Sequence, residues 1–115
     1  MANGGIINST GAHMIALAAK AYFKPVMVVS GVFKLSPVYS FDFDTYNDLL
    51  SPMSIFLPRS GENLDCIDVC VPSYDYVPPE LISLHITDLG PQTPNYIYRM
   101  LVDMYSHEDY NLDKQ

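Results

Sequence analysis

The 115-residue sequence has no tryptophan, two cysteines, and only six lysine or arginine residues against 13 acidic ones, for a net charge of -7. Because affinity for nucleic acid depends largely on Lys and Arg, this balance argues against a nucleic-acid partner. It also argues against an anionic membrane surface. No apolar run approaches the roughly 20 residues that cross a bilayer, and no signal peptide is evident. The expected location is the cytoplasm.

The two cysteines, Cys66 and Cys70, lie four residues apart in a predicted strand. A zinc site needs about four ligands, and no second Cys/His pair with suitable spacing accompanies them. We therefore expect no metal and no other cofactor. Both cysteines are interpreted as ordinary core thiols of a reduced protein.

Two helices are predicted from apolar periodicity. The first spans residues 11–23, with Thr10 as its N-cap, and the second spans 94–105, with Thr93 as N-cap and Pro94 at its first position. The residues predicted to face the core are Met14, Leu17, Ala18, Ala21 and Tyr22 in the first helix and Ile97, Met100, Leu101, Met104 and Tyr105 in the second.

Three strands are predicted around these helices. "VMVVS" at 26–30 is apolar on both faces, as in a strand buried on both sides of a parallel sheet. "CIDVCV" at 66–71 and "LISLHIT" at 81–87 alternate, and the second places Ile82, Leu84 and Ile86 on its predicted core face. Residues 34–65 form a proline-punctuated excursion, with a short helix near 44–50 as one reading.

The element order is loop, helix, strand, excursion, strand, strand, helix. It predicts an α/β fold: the C-terminal half of a Rossmann-like domain, with a mostly parallel sheet flanked by helices. The domain is expected over residues 1–110, followed by a polar tail at 111–115. The chain is expected to open on a loop, with no strand leading into it.

The opening "NGGIINSTGAH" feeds a helix N-terminus, and helix N-termini attract anions. The segment is therefore a candidate phosphate loop. For His13, a first-turn side chain that packs or caps is the favoured interpretation, and an anion ligand or general acid is the alternative. For His85 we favour a satisfied core or interface histidine, because a single histidine without a partner makes no mechanism.

Four segments carry a family resemblance: "ANGGIINSTGAHMIALAAK", "FKLSP", "YDYVPPELISLHITDLG" and "TPNYIYRMLVDMY". Together they resemble the C-terminal domain of the regulatory subunits (alpha, beta and delta) of eukaryotic translation initiation factor 2B, and the beta subunit most. The resemblance covers about residues 1–110. It implies a module that pairs with related subunits through Rossmann-like domains and performs no chemistry itself.

The same family includes isomerases of methylthioribose 1-phosphate and ribose 1,5-bisphosphate, whose matching loop reads Asn-Lys-hydrophobic-Gly-Thr-Tyr. Here Asn8 and Gly11 are kept, Ser9 stands in place of the Lys, and His13 in place of the Tyr. The family's catalytic Cys and Asp lie upstream of this loop and have no counterpart in the chain. The resemblance thus implies no catalytic residue and a degenerate anion-binding loop, whose residues are Asn8, Ser9, Thr10, Gly11 and His13.

Nine tyrosines are present, and four flank the last predicted strand and helix. Tyrosine offers a large contact area with a polar tip, which suits interfaces. We name Tyr74, Tyr76, Tyr96 and Tyr98 as interface candidates, with a plain core role as the equal alternative.

The leading hypothesis is a non-catalytic regulatory or assembly fragment of the guanine-nucleotide exchange factor for translation initiation factor 2. Its expected partners are the other subunits of that factor and initiation factor 2 itself. A second copy of this chain is also expected as a partner, because a half-sheet exposes strand edges and apolar faces. The alternatives are a sugar-phosphate isomerase relative and a free-standing small-molecule binding module.

Overall fold

The computed structural model describes residues 1–37, 47–55 and 67–106. Two helices and five strands form its regular elements, which in chain order are β1 (Ile6–Ser9), α1 (Ala12–Ala21), β2 (Met27–Val29), β3 (Tyr74–Val77), β4 (Leu84–Thr87), β5 (Gly90–Gln92) and α2 (Pro94–Met104). Single 3₁₀ turns occur at Val32–Lys34, Pro52–Ser54 and Pro79–Leu81. Both predicted helices are confirmed, with α1 shorter at each end. The predicted tail at 111–115 lies outside the described residues.

The strands form two small sheets. β1 pairs antiparallel with β3, and β4 lies between β2, which is parallel to it, and β5, which is antiparallel. The α/β class and the parallel pairing are confirmed, but one described sheet is antiparallel and the other is mixed, so the sheets are not mostly parallel. A hairpin with Gly90 at φ 104° joins β4 to β5, and such a tight turn can only connect antiparallel strands.

A strand, β1, precedes α1, so the expectation that the chain opens on a loop with no strand leading into it was wrong. Gly4, with φ 83°, accompanies a turn closed by its N–H donating to the Met1 carbonyl at 2.9 Å. The β-branched pair Ile6 and Ile7 then lies opposite Val77 and Tyr76 as the first rungs of β1 and β3.

The predicted strand at 66–71 is wrong over 67–71, which carries no regular structure. This segment instead runs irregularly beside residues 48–50, where the Leu50 N–H donates to the Val71 carbonyl at 2.7 Å. The pairing is limited to one bridge between Leu49 and Pro72, and proline is depleted in strand interiors. The short helix near 44–50 is likewise wrong over 47–50. Cys70 is exposed and is not a core thiol, while Cys66 lies outside the described residues.

Helix α1 buries a different face from the predicted one. Met14 and Tyr22 are 72% and 77% exposed, and Leu17 is 50% exposed. The covered side carries small residues instead: Ala16 is buried against a cluster with Val77, and Ala12 packs against that cluster. Alanines four residues apart let the helix backbone approach β3 closely, which larger side chains would prevent.

The sheet formed by β2 and β4 has one covered face and one open face. Met27 and Val29 are exposed, so β2 is not buried on both sides as predicted. Of the residues predicted to face the core here, Ile82 is buried, but it precedes β4. Within β4 the predicted alternation is reversed, because His85 is buried and Leu84 and Ile86 are only half-buried. The register pairs Met27 with Leu84 and Val29 with Ile86, so the open face is the apolar one.

Helix α2 packs as its sequence predicts. Ile97, Met100 and Leu101 are buried, and the Tyr105 hydroxyl donates to the Leu35 carbonyl at 2.9 Å. Met104, the remaining member of the predicted stripe, is 46% exposed. Thr93 is the N-cap and Pro94 opens the helix, as expected. The cluster beneath α2 consists of Ala2, Val32, Leu35, Ile97, Met100 and Leu101.

Candidate functional site: the loop before α1

The candidate phosphate loop joins β1 to α1 through a left-handed residue. Gly11 is the N-cap of α1 with φ 101° and ψ -17°, a conformation that glycine adopts without steric cost. Thr10 is therefore not the N-cap, contrary to prediction. Its N–H donates to the Ser73 carbonyl at 3.3 Å, and its hydroxyl donates to the Pro72 carbonyl. These bonds fasten the loop to the segment that leads into β3.

The first N–H groups of α1 are taken by a carboxylate from β3. Asp75 Oδ2 accepts from the Gly11 N–H at 2.7 Å and from the His13 N–H at 3.3 Å. Asp75 faces Asn8 in the β1–β3 register, which brings its side chain to the end of β1 where the helix starts. The sequence analysis missed this residue. The available signal was a lone acid inside "YDYV", since Asp is depleted in strands and needs a local reason to be there.

The remaining loop residues contribute no positive charge. Asn8, Ser9 and Thr10 are exposed, and Asn8 Oδ1 accepts from the Ser9 N–H at 2.8 Å. Gly11 and His13 lie at the start of α1, and Asn8 lies on β1 two residues before Thr10, lining the adjoining groove. Of the lysines nearest in sequence, Lys20 lies in the last turn of that helix and Lys24 follows its end.

An apolar groove of about 270 Å³ adjoins the loop between β1, β2 and α1. Its lining residues are Ile6, Asn8, Ala12, Ile15, Ala16, Val26, Met27, Val28, Val29 and Val77. Asn8 is the single polar side chain among them. A sugar phosphate needs several polar groups and a charge partner, so this lining does not suit one.

The four tyrosines named as interface candidates divide into two kinds. Tyr74, Tyr96 and Tyr98 are 47%, 40% and 50% exposed. Tyr76 is half-buried, its hydroxyl accepts from Asn3 Nδ2, and its ring edge would lie 2.7 Å from a Cβ placed at Gly5. Tyr76 therefore packs the N-terminal segment within the chain.

His85 is a satisfied core histidine, as interpreted from the sequence. Its side chain is 3% exposed, and Nε2 donates to the Gly4 carbonyl at 2.9 Å. Burial lowers its pKa, the bond to Gly4 opposes this, and the Met1 ammonium lowers the pKa further. A carbonyl can only accept, so the neutral ring carries its proton on Nε2.

Comparison with known proteins decides the family. The model of the initiation factor 2 subunit family matches residues 1–94. The chain belongs to this family. Translation initiation factor eIF2B subunit beta of Dictyostelium discoideum is 42% identical over 109 residues, which cover 95% of this chain and 28% of that relative. The chain thus spans less than a third of the relative's length.

Two solved structures extend the comparison to the fold. The tetrameric eIF2B-beta2-delta2 complex from C. thermophilum matches with a TM-score of 0.62 and 31% identity, over 90% of this chain and 27% of the matched chain. The 5-methylthioribose 1-phosphate isomerase from Pyrococcus horikoshii matches with a TM-score of 0.71 and 22% identity, over 90% of this chain and 30% of that chain. The isomerase likeness shows a shared fold and nothing about activity.

Within residues 1–37, 47–55 and 67–106, no three His, Cys, Asp or Glu side chains gather as metal ligands would. Over the same ranges, no helix is long and apolar enough to cross a membrane.

Proposed function

We propose that this chain is a non-catalytic regulatory or assembly part of the guanine-nucleotide exchange factor for translation initiation factor 2, acting in the cytoplasm. Its family membership and its likeness to an eIF2B beta subunit carry the proposal. The loop supports it as well, because its neutral residues and the carboxylate of Asp75 are poorly suited to holding a substrate phosphate. Its partners are the other subunits of the exchange factor and initiation factor 2.

The exposed outer side of α2 is the part of the proposed interface that can be tested most directly. Tyr96 and Tyr98 flank the buried Ile97 in the sequence of α2, and their side chains are 40% and 50% exposed. Large, exposed tyrosines away from a core can bury substantial area on a partner without altering the fold.

The combined change Tyr96→Ala and Tyr98→Ala should weaken binding to the delta subunit of the exchange factor at least about tenfold, or about 1.4 kcal/mol. Binding is measured by calorimetry with purified delta subunit, and far-UV circular dichroism should stay unchanged. Tyr22→Ala is the matched control, because Tyr22 is 77% exposed at the end of α1. Unchanged binding in a folded double variant contradicts an α2 interface, and no binding by the wild-type chain contradicts the assembly role.

The second candidate function is a sugar-phosphate isomerase relative, favoured only by the shared fold. Proton transfer between sugar carbons needs a positioned acid and base, and the resemblance supplies neither. We expect no turnover of 5-methylthioribose 1-phosphate or ribose 1,5-bisphosphate. Binding should be millimolar or weaker, about -4 kcal/mol, because the loop's donors are neutral. Turnover of either sugar phosphate would favour the enzyme instead.

Self-association is a further part of the proposal. Met14, Leu17, Met27 and Val29 are large apolar side chains left 50–78% exposed, and such surface invites association. We expect a dimer at micromolar concentration when the chain is examined by multi-angle light scattering. A 12.9 kDa monomer under these conditions would contradict self-association but would not contradict binding to other subunits.

A further inference from the structure

The end of α1 carries an exposed phenylalanine in a backbone conformation that suits glycine. Among the residues that the structure describes, Phe23 is the one non-glycine residue with a positive φ, 53°. In the left-handed region a Cβ crowds the following carbonyl oxygen, and glycine avoids that penalty. Phe23 is also 95% exposed, so burial of its ring does not offset the strain. The local fold would therefore be better served by glycine here.

Hydrogen bonds hold Phe23 in this conformation. The Lys24 N–H donates to the Ala19 carbonyl at 2.8 Å, and the Phe23 N–H donates to the Lys20 carbonyl at 3.1 Å. These two bonds form a Schellman motif, which ends many helices and usually has glycine at its left-handed position. Pro25 follows, and its ring fixes its own φ. Because the backbone at Phe23 is already fixed, binding a partner there costs little backbone entropy.

Two exposed lysines flank Phe23 in the sequence. Lys20 lies in the last turn of α1, where a cation also suits the helix dipole, and Lys24 directly follows Phe23. Glu80 lies on a turn that contacts α1. Within the described ranges, neither lysine forms an ion pair with Glu80 or with another acid. Both ammonium groups are therefore available to an acidic partner.

The charge of the chain is divided along its sequence. Residues 1–41 contain three lysines and no Asp or Glu, whereas residues 42–115 contain three basic residues and all 13 acidic ones. The formal charges are +3 and -10, which together make the net charge of -7. A long polyanion such as nucleic acid would extend over the acidic remainder and be repelled. A short acidic segment would meet the lysines within the screening length of about 8–10 Å.

We propose that Lys20, Phe23 and Lys24, which we call the α1 tip, dock a short acidic peptide segment of another protein. An apolar side chain of that segment packs on the Phe23 ring, and its carboxylates lie beside the two lysines. The strain at Phe23 is retained because the exposed ring serves this contact rather than the fold. The α1 tip is separate from the α2 surface proposed above, so either contact can exist without the other.

The decisive variant is Phe23→Gly, because glycine keeps the left-handed conformation and removes the ring. Its thermal unfolding midpoint, followed by circular dichroism, should equal or exceed that of the wild-type chain. The probe is a fluorescently labelled peptide, Glu-Glu-Phe-Glu-Glu, whose binding is measured by fluorescence anisotropy at low salt. Phe23→Gly should bind this peptide at least about fivefold more weakly than wild type. A gain or retention of stability together with this loss separates a docking residue from a packing residue.

The charged part of the α1 tip is tested separately. The combined change Lys20→Gln and Lys24→Gln should weaken binding at least about threefold at low salt, and this difference should shrink as salt is added. The peptide Glu-Glu-Gly-Glu-Glu should bind more weakly than the probe, because it has no apolar side chain for Phe23. The peptide Lys-Lys-Phe-Lys-Lys should not bind.

A second exposed phenylalanine and lysine provide the matched control. Phe33 is 79% exposed, and the Lys34 ammonium lies 6.0 Å from the centre of its ring, beyond the other end of β2. The variants Phe33→Ala and Lys34→Gln should bind the probe as the wild-type chain does. Equal losses in these variants would mean that the peptide adheres to any exposed aromatic and basic pair, and would overturn the proposal.

Three further outcomes overturn the proposal. The first is a wild-type chain that does not bind the probe, or a Phe23→Gly variant that binds it equally well. The second is a lower unfolding midpoint in Phe23→Gly, which would assign the ring to packing. The third is tighter binding of oligo(dT) or of phosphatidylserine vesicles through the same three residues, which would assign the α1 tip to nucleic acid or to a membrane.

Discussion

Helices α1 and α2 both carry large apolar residues at helical spacing but bury them differently. In α2 the large residues Ile97 and Leu101 are 1% and 0% exposed. In α1 the large residues Met14 and Leu17 are 72% and 50% exposed, and the buried position is Ala16. Periodicity therefore identifies a helix and the faces it could bury. Which face of a helix is covered depends on which other described elements pack against that helix.

The largest expected effect contrasts one leucine from each helix. Leu101→Ala should reduce the free energy of unfolding by about 2–5 kcal/mol, because it leaves a cavity in the α2 cluster. Leu17→Ala should cost under about 1 kcal/mol, because that side chain is half exposed and alanine favours helix. Urea unfolding followed by circular dichroism measures both. Equal losses would show that α1 is as tightly packed as α2 in solution.

The second prediction compares two left-handed glycines, one near each helix. A Cβ at Gly4 would overlap the Pro94 carbonyl at the start of α2, whereas one at Gly11 meets nothing within 4 Å. Gly11→Ala should cost about 1–2 kcal/mol from backbone strain alone. Gly4→Ala should cost about 1–3 kcal/mol more, because the clash adds to the strain. The same unfolding assay applies, and a larger loss for Gly11→Ala would reverse the comparison.

The smallest expected effect is the contribution of His85 to the pH dependence of stability. Burial lowers the folded-state pKa of His85 below its ordinary value, so the unfolded chain binds this proton more readily. Stability should fall as the pH drops through about 6.5, the unfolded pKa, and level off below the folded pKa. His85→Gln retains a donor for Gly4 and should flatten this part of the profile. Parallel wild-type and variant profiles between pH 5 and 8 would contradict the assignment.

The sequence predicted both helices, the Thr93-Pro94 start, the α2 core and His85 as a satisfied core residue. These features depend on local patterns, which sequence periodicity and turn chemistry express directly. It did not predict β1, the covered face of α1 or the partner of the Gly11 N–H. Asp75 is 64 residues from Gly11, and nothing in the local sequence shows that β3 returns to pair with β1.

The outcome for the candidate loop follows from the same limit. Asn8, Gly11 and His13 were named as candidates because they are close together in sequence. The group that accepts from the Gly11 N–H is Asp75, which the pairing of β1 with β3 brings to the helix start. Local sequence patterns do not encode that long-range pairing. The sequence directed attention to the helix start, and the structure adds that Asp75 accepts from two of its N–H groups.

The side-chain amide of Asn47 affects whether another strand could pair with the edge of β3. Asn47 Oδ1 accepts from the Tyr74 N–H at 3.1 Å, and its Nδ2 donates to the Tyr74 carbonyl at 2.7 Å, so the amide imitates one rung of a neighbouring strand. The Ser73 N–H is similarly taken by the Asp48 carbonyl at 2.8 Å. With these groups engaged, β3 has no free rung at Tyr74 to template another strand. A strand joining β3 at this margin would therefore first have to displace Asn47 from Tyr74.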